Sequence, residues 1–261
     1  MPIITGTIVG SLTSPKPKPV IGYDNLFLEA GTFVDTGTNY VNALNYNTYN
    51  GWLTGAAGAT FTMTVTGDAE FADYFAFAAH DLHMYSGNIK LEYYDGAAWQ
   101  TAAEMTPGTG DPFMILFDRV ASDQWRVVVT STAAATIGVI FAGERLTFER
   151  GFYVGHEPAG FGHAYKTITA TTEGGQYAGG AVIRTGAQGK LSLEYVTNGW
   201  MRTYWQPFVA YAETTKPWFL MWSTETYTSE IAYARAAAAI QSQNSSTNFM
   251  SSTVTYQAIT R

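Results

Sequence analysis

Short segments rich in β-branched and aromatic residues recur along almost the whole chain, and turn residues separate them at short intervals. Residues of these types favour strands, and this spacing of strand and turn signals is typical of β-sandwiches. The sequence therefore predicts a mainly β protein. The predicted strands lie at 61–67, 88–100, 112–118, 124–131 and 137–144, and then at 164–173, 179–186, 189–197, 217–224 and 253–260.

Two of these strands differ in how they should be covered. In "NIKLEYYDG" the apolar residues Ile89 and Leu91 alternate with the charged residues Lys90 and Glu92, which predicts one buried and one solvent-facing side. In contrast, "PFMILF" (112–117) is apolar at every position after the proline. Such a strand is typical of burial on both faces, so we expect a further layer to pack outside the sandwich there.

The best helix candidate is "MRTYWQPFVAYAETT" (201–215), which places Trp205, Phe208 and Val209 on one side. The segment "SEIAYARAAAAIQSQ" (229–243) gives mixed signals, because its alanines favour a helix while Ile231, Tyr233 and Arg235 alternate as in a strand. We predict a strand that runs into a loop.

The organisation into domains follows from two changes in composition. The prolines of "SPKPKPV" favour an extended linker after the first strand, and charged residues concentrate at 144–155 between two β-rich regions. We therefore predict three parts. They are an N-terminal strand with its linker (1–19), which would join the C-terminal domain, a β-sandwich (20–150), and a second β-rich domain with one helix packed on its sheet (151–261).

Composition argues against several classes of function. Only 13% of the 261 residues are charged, and 14 Lys and Arg against 21 Asp and Glu give a net charge of -7. Nucleic-acid binding depends on clustered basic residues, so no sequence-specific nucleic acid is expected. The chain has no cysteine, which excludes thiolate metal sites and cysteine nucleophiles. No apolar run is long enough to predict a signal peptide or a membrane span.

The segment "YVNALNYNTYNGWLTG" (40–55) contains three tyrosines, four asparagines and one tryptophan but no ionisable acid or base other than its tyrosines. Two interpretations follow from these residue types. In the first, Leu44 and Trp52 close one end of the sandwich core. In the second, the segment binds a glycan, since aromatic rings stack on sugars and amides bond their hydroxyls. The glycan-binding residues would then be Tyr40, Asn42, Tyr46, Tyr49 and Trp52.

The histidines suggest little catalytic or metal chemistry. "HDLH" (80–83) offers two imidazoles and one carboxylate, but the sequence supplies no third ligand for zinc. His156 and Glu157 are neighbours, and neighbours on an extended chain point to opposite faces, so we expect them and His163 to have loop or interface roles. No metal site and no cofactor are predicted.

An enzyme is not predicted either. A glycan hydrolase needs two suitably spaced carboxylates, and nothing in the spacing of Asp68, Asp73 and Asp81 selects a pair. A Gly-x-Ser-x-Gly nucleophile turn and a phosphate-binding loop are both missing from the sequence.

A dense set of aromatic residues follows in the second domain, and its spacing predicts the core between helix and sheet. The set comprises Trp200, Tyr204, Trp205, Phe208, Trp218, Phe219 and Trp222. Arg202 and Lys216 flank it, and we predict that they pair with Glu194 or Glu213 of a neighbouring subunit. The sequence leaves the choice among these pairs open.

The first domain resembles discoidin-like, or galactose-binding-like, β-sandwiches. The resemblance rests on an entry motif at Asn42, Ala43, Leu44 and Trp52, a strand at 72–77 and a late strand at 124–129. The family's usual arginine at the start of that late strand is replaced by Gln124 or Trp125. The resemblance implies a jelly-roll β-sandwich for residues 20–150.

The rest of the chain resembles ring-forming distal or minor tail proteins of long-tailed bacteriophages. The segment "FAGERL" that closes the first domain is similar to sandwiches carried by such tail proteins, and the similar segments after it are "GFYVGHEP", "GGQYAGG", "NGWMRTYWQPFVAYAETTKPWFLMW" and "STVTYQ". The resemblance implies a structural protein of the virion tail, made in the host cytoplasm. It would form a trimeric or hexameric ring that contacts the tail tube and the tip or hub proteins. A carbohydrate-binding module that recognises a host-surface glycan is the alternative.

Overall fold

The structure is a computed structural model that describes residues 18–56, 58–152, 155–159 and 161–258, with the side chains of 163–166 and 183–186 left aside. The predicted N-terminal strand lies outside the described residues, as does most of the proline-rich linker. Strands make up most of the regular structure, so the mainly β class is confirmed. No helix in the described part of the chain has the length and apolar character that a membrane crossing needs.

The described part of the chain forms seventeen strands and one main helical segment. The strands are β1 (Val20–Gly22), β2 (Gly31–Asp35), β3 (Trp52–Leu53), β4 (Ala59–Val65), β5 (Glu70–His80), β6 (Asn88–Tyr94), β7 (Trp99–Met105), β8 (Phe113–Ser122), β9 (Gln124–Thr130), β10 (Thr136–Gly143), β11 (Leu146–Thr147), β12 (His163–Thr171), β13 (Tyr177–Thr197), β14 (Trp218–Met221), β15 (Ile231–Ala236), β16 (Gln241–Asn244) and β17 (Phe249–Ala258). The helical segment consists of α1 (Asn198–Trp200), a π-helical turn (Met201–Trp205) and α2 (Gln206–Ala212). Short 3-10 turns lie at Leu26–Leu28, Tyr40–Leu44 and Leu82–Tyr85.

The chain divides into two compact units between Phe148 and Glu149, close to the boundary expected near Arg150. The first unit also contains Trp218–Ile231, and the second unit resumes at Ala232. A continuous second domain at 151–261 is therefore wrong, because β14 pairs with β1 and so belongs to the first unit.

The first unit is a β-sandwich of two antiparallel sheets. One sheet has the strand order β3-β10-β5-β8 and the other has the order β2-β4-β9-β6-β7. Alternate side chains of both sheets point inward and form a single apolar core around Phe61, Phe75 and Trp125. In β6 the inward residues Ile89 and Leu91 are fully buried, so the predicted alternation is confirmed.

The predicted strand at 88–100 is in fact two strands, β6 and β7. Asp95 accepts hydrogen bonds from the backbone N–H groups of Ala97 and Ala98, and Gly96 has a φ of 95°. An Asp-Gly pair of this kind favours the tight turn of a hairpin, and β6 and β7 are antiparallel neighbours. The prediction of one strand at 88–100 is therefore wrong, because the Asp95-Gly96 turn ends the first strand.

A further layer covers the outer face of the four-stranded sheet, as "PFMILF" predicted. All residues from Phe113 to Phe117 are buried. Strand β1 lies against this face, because a Cβ at Gly22 would come within 2.4 Å of the Tyr74 ring. Phe219 of β14 also contacts Phe141, with ring centroids 5.4 Å apart.

The second unit is built on the antiparallel strands β12, β13, β17, β15 and β16, with β15 and β16 pairing along the same side of β17. The predicted strands at 179–186 and 189–197 are one strand, β13. Strand β15 confirms the strand within 229–243, whereas β16 forms in the part that we expected to be a loop.

The helical segment packs on this unit through Trp205 and Phe208, which are both buried as predicted. The indole Nε1 of Trp205 donates a hydrogen bond to Ser252 Oγ at 3.0 Å. The predicted aromatic cluster is wrong as a single core. Trp205 and Phe208 are buried in the second unit, Trp218 and Phe219 in the first, and Tyr204 is 55% exposed.

Candidate functional site

The segment 40–55 closes the sandwich core with two of its residues. Leu44 and Trp52 are buried, and the Trp52 ring meets Phe61 edge-on at 5.0 Å between centroids. The indole Nε1 of Trp52 donates a hydrogen bond to Asp35 Oδ1 at 3.1 Å. Because Trp52 is 0% exposed, it has no ring face to offer a sugar. The core-closing interpretation is confirmed for Trp52, and its glycan-binding role is wrong.

The three tyrosines of the segment differ in their exposure. Tyr40 stacks between Phe33 and Phe61, at 5.2 Å and 5.9 Å between centroids, and is partly buried. Tyr46 meets Phe141 edge-on at 5.6 Å and is also partly buried. Tyr49 is 85% exposed, the largest exposure of any large hydrophobic residue in the described part of the chain. Among the aromatic residues predicted to bind a glycan, Tyr49 is therefore the one whose ring is most open to solvent.

Asparagine side chains hold the backbone of this loop. Asn42 Nδ2 donates to the carbonyl of Gly51 at 3.3 Å, and Asn50 Nδ2 donates to Asn42 Oδ1 at 3.4 Å. Asn45 Oδ1 accepts a hydrogen bond from the N–H of Asn47 at 3.0 Å. Asn42 therefore works mainly as a brace within the loop. The shielded Oδ1 of Asn50 accepts no hydrogen bond from the described residues.

The loop lies closely on strand β10. A Cβ at Gly51 would come within 2.5 Å of the Ile137 carbonyl oxygen, so only glycine fits between the loop and this strand. Together with the asparagine bonds, this contact predicts a loop that is rigid before any ligand arrives.

The four predicted interface residues all lie in the second unit. Arg202 is exposed, and its Nη1 donates to the Asn198 carbonyl at 3.0 Å. Lys216 lies over the Tyr211 ring, 5.4 Å from its centroid. Glu213 is exposed and Glu194 is half-buried. No ion pair within the described part of the chain joins any of the four, so their pairing with another subunit stays a prediction.

The "HDLH" residues have structural contacts. His80 is fully buried beside Phe77 and Phe113, and its Nε2 lies 3.1 Å from the Asp111 carbonyl. Asp81 Oδ1 accepts the N–H of Thr136 at 2.6 Å, which fixes the start of β10. Within the described residues no three His, Asp or Glu side chains are grouped as a metal site would require.

His156 and Glu157 also have different surroundings. His156 packs on the Phe152 ring at 4.4 Å and its Nδ1 lies 3.0 Å from the Lys190 carbonyl. Glu157 is exposed, while its backbone pairs with that of Lys190. The side chain of His163 lies outside the described residues.

One carboxylate has a strongly altered acidity. Asp73 Oδ1 accepts the N–H of Arg145 at 2.7 Å, and its Oδ2 lies 3.4 Å from Arg145 Nε. Burial of the carboxylate outweighs this attraction and raises the pKa of Asp73 to about 6. Asp73 is thus paired with an arginine. Of the other two carboxylates considered for a hydrolase pair, Asp68 is exposed and Asp81 accepts a hydrogen bond from a backbone N–H.

A polar aromatic patch on the outer face of the five-stranded sheet was not predicted. The Arg126 guanidinium lies 4.2 Å from the Trp99 ring centroid, and its Nε lies 2.5 Å from Glu92 Oε2. Tyr94 contacts the same indole at 5.5 Å between centroids. The alternation in β6 predicts Glu92 on the solvent side, but only the strand register shows that Arg126 lies beside it.

Comparison with known proteins gives partial structural matches only. No family model matches the chain, and no curated protein matches it either. Solved structures that resemble part of it include the family 32 carbohydrate-binding module from Streptococcus pneumoniae EndoD, at 17% identity and a TM-score of 0.39, over 46% of this chain and 99% of that one. CpGH89CBM32-6 of Clostridium perfringens matches at 14% identity and a TM-score of 0.39, over 46% of this chain and 99% of that one.

A GH29 fucosidase from Ruminococcus gnavus also matches, at 14% identity and a TM-score of 0.37, over 46% of this chain and 26% of its own. The matched part thus spans about a quarter of that enzyme. All three alignments cover less than half of this chain. The β-sandwich of the first unit is established by its own strand pairing and shared core.

Proposed function

We propose that the first unit is a carbohydrate-binding module and that the loop at 40–55 binds the glycan. The observation that carries the proposal is Tyr49, an 85% exposed aromatic ring on a braced loop. Sugar rings present apolar C–H faces together with many hydroxyl groups, so they suit a site that combines an aromatic face with amide groups.

The surroundings of Tyr49 fit such a ligand. Its neighbours Asn47, Thr48 and Asn50 are half-buried polar residues, and no Lys, Arg, Asp or Glu occurs from 40 to 55. A braced loop loses little conformational entropy on binding. These features favour an uncharged saccharide.

A glycan array tests this proposal. We expect the whole chain to bind selected uncharged glycans and Tyr49→Ala to lose that binding. Tyr177→Ala is the matched control, because Tyr177 is 71% exposed but lies in the second unit. The absence of selective binding, or equal loss in both variants, would contradict the proposal.

A second candidate is the structural subunit of a virion tail, in which the second unit forms a trimeric or hexameric ring between tail tube and tip proteins. None of the three matched proteins is named as a virion component. The exposed hairpin of β12 and β13 supports this candidate, because it offers a surface for contact with a neighbouring subunit. Every residue from Thr167 to Val182 except Gly179 is exposed, including Ile168 at 59% and Tyr177 at 71%.

Two strand edges of this unit are also suited to pairing between subunits. Among the described strands, β12 pairs only with β13 and β16 pairs only with β17. Lys166 is the one Lys, Arg, Asp or Glu of β12, and the remaining stretch 167–171 and all of β16 contain no charge and no proline, which are the usual means of blocking such edges. Two different edges on one subunit are what a heterologous ring contact requires.

The native mass of the protein tests directly whether it forms such a ring. Mass photometry of the purified protein, alone and with co-expressed neighbouring tail proteins, should show a closed trimer or hexamer. A monomer in every mixture would contradict it. The glycan proposal does not depend on this result, since its site lies in the first unit.

A further inference from the structure

A pocket of about 360 Å³ lies in the second unit between the helical segment and the strands. Its apolar wall consists of Met201, Trp205 and Val209 from the helix and Ile240 and Met250 from the strand side. The three helix residues are spaced four apart, so they form one stripe along the helix. A pocket of this volume is in the range of small-molecule sites.

The rim of the pocket is polar and carries one positive charge. Arg202, Gln206 and Ser242 line it, and all three are exposed. Arg202 donates to the Asn198 carbonyl but forms no ion pair with any described residue. A guanidinium without a counter-ion at the mouth of an apolar pocket favours an anionic head group.

The backbone at this place is unusual as well. Met201–Trp205 form a π-helical turn, in which the N–H of Gln206 donates to the Met201 carbonyl. Such turns widen the helix locally and often occur at functional sites. The two methionines in the wall can adapt to ligands of different shape, because their side chains are unbranched and flexible.

We propose that this pocket binds a small amphipathic anion, with the apolar body between Val209 and Met250 and a carboxylate at Arg202. This site is separate from the glycan loop and goes beyond both functions proposed above. The aliphatic monocarboxylate octanoate is a suitable probe, and octan-1-ol has the same chain without the charge.

Methyl NMR of the whole chain with labelled methionines tests the proposal. Octanoate should shift the Met201 and Met250 methyl signals together to saturation. Met84 is 64% exposed in the first unit and should not shift. Arg202→Gln should weaken octanoate binding by about tenfold, and the wild-type protein should bind octan-1-ol about as weakly.

Arg235→Gln is the matched control, because Arg235 is an exposed arginine of the same unit that does not line the pocket. This variant loses the same charge and should bind octanoate like the wild type. Circular dichroism would establish that both variants fold. The proposal is wrong if no saturating shift appears, if Met84 shifts equally, or if both arginine variants bind alike. A shift of the two methionines with a peptide of 167–182 but not with octanoate would instead indicate a protein occupant.

Discussion

The indole of Trp52 is held by Asp35, with Nε1 3.1 Å from Asp35 Oδ1 and the ring fully buried. A residue that sequence alone could assign either to a sugar site or to the core is thereby placed in the core. Tyr49, three positions earlier, is 85% exposed. Substituting these two residues should therefore have opposite consequences, a large loss of stability for Trp52 and almost none for Tyr49.

Trp52→Ala should lower the free energy of unfolding of the first unit by about 3–5 kcal/mol, because it leaves a cavity beside Phe61 and removes one of the two hydrogen bonds that Asp35 Oδ1 accepts. Tyr49→Ala should change it by less than about 0.5 kcal/mol, since an exposed ring contributes little packing. Urea unfolding followed by circular dichroism measures both. Equal losses in the two variants would show that Tyr49 is part of the core.

Gly51→Ala should destabilise the loop, because the new Cβ would lie 2.5 Å from the Ile137 carbonyl oxygen. We expect a loss of about 1–3 kcal/mol in the free energy of unfolding, together with weaker glycan binding. Gly108→Ala is the control, as a Cβ there meets nothing within 4 Å. If Gly51→Ala leaves urea unfolding unchanged, the loop does not lie against β10 as described.

The raised pKa of Asp73 gives the stability a pH dependence of defined sign. The folded state holds a proton up to about pH 6, whereas the unfolded chain releases it near the ordinary value of 3.8. Folding therefore gains stability from this group below pH 3.8 and loses that gain as the pH rises to about 6. The difference is on the order of 3 kcal/mol for a side chain that is 14% exposed.

Urea unfolding at several pH values between 3.5 and 7 tests this dependence. The stability of Asp73→Asn relative to the wild type should rise across that range, because the amide does not ionise. A constant difference between the two proteins would contradict the raised pKa. Chemical shifts of the Asp73 carboxyl carbon would report the titration directly.

Pairing between strand edges predicts the effect of lysine substitutions. Thr169→Lys on β12 and Gln243→Lys on β16 should each shift any oligomer toward monomer, since a charge on an edge opposes strand addition. Thr64→Lys, at an exposed position of the first unit, should not. Mass photometry distinguishes the outcomes. An oligomer that persists in both edge variants would require a different contact surface.

The sequence predicted those features that depend on local pattern. Alternation in β6 and the apolar run of β8 predicted correctly which faces are covered. Sequence could not show that β14 pairs with β1, because the partners are almost two hundred positions apart. The aromatic residues Trp205 and Trp218 were therefore assigned to one core although they belong to two units.

The candidate site was predicted in part for the same reason. The types of residue in 40–55 identified an aromatic, amide-rich loop, but the exposure of each ring depends on distant partners. Phe33 and Phe61 cover Tyr40, and Phe141 contacts Tyr46, whereas no such ring covers Tyr49 among the described contacts. The raised pKa of Asp73 likewise results from burial in the folded chain, and the residue that opposes this rise, Arg145, lies 72 positions away.

Calorimetric titration of the strongest array ligand into the wild type, Tyr49→Ala and Tyr177→Ala tests the carbohydrate-binding function most directly. We expect one site per chain in the wild type and in Tyr177→Ala, and affinity lower by at least about tenfold in Tyr49→Ala, since a stacked aromatic ring contributes about 1–2 kcal/mol. Unchanged affinity in a folded Tyr49→Ala protein would contradict the assignment of this loop as the binding site.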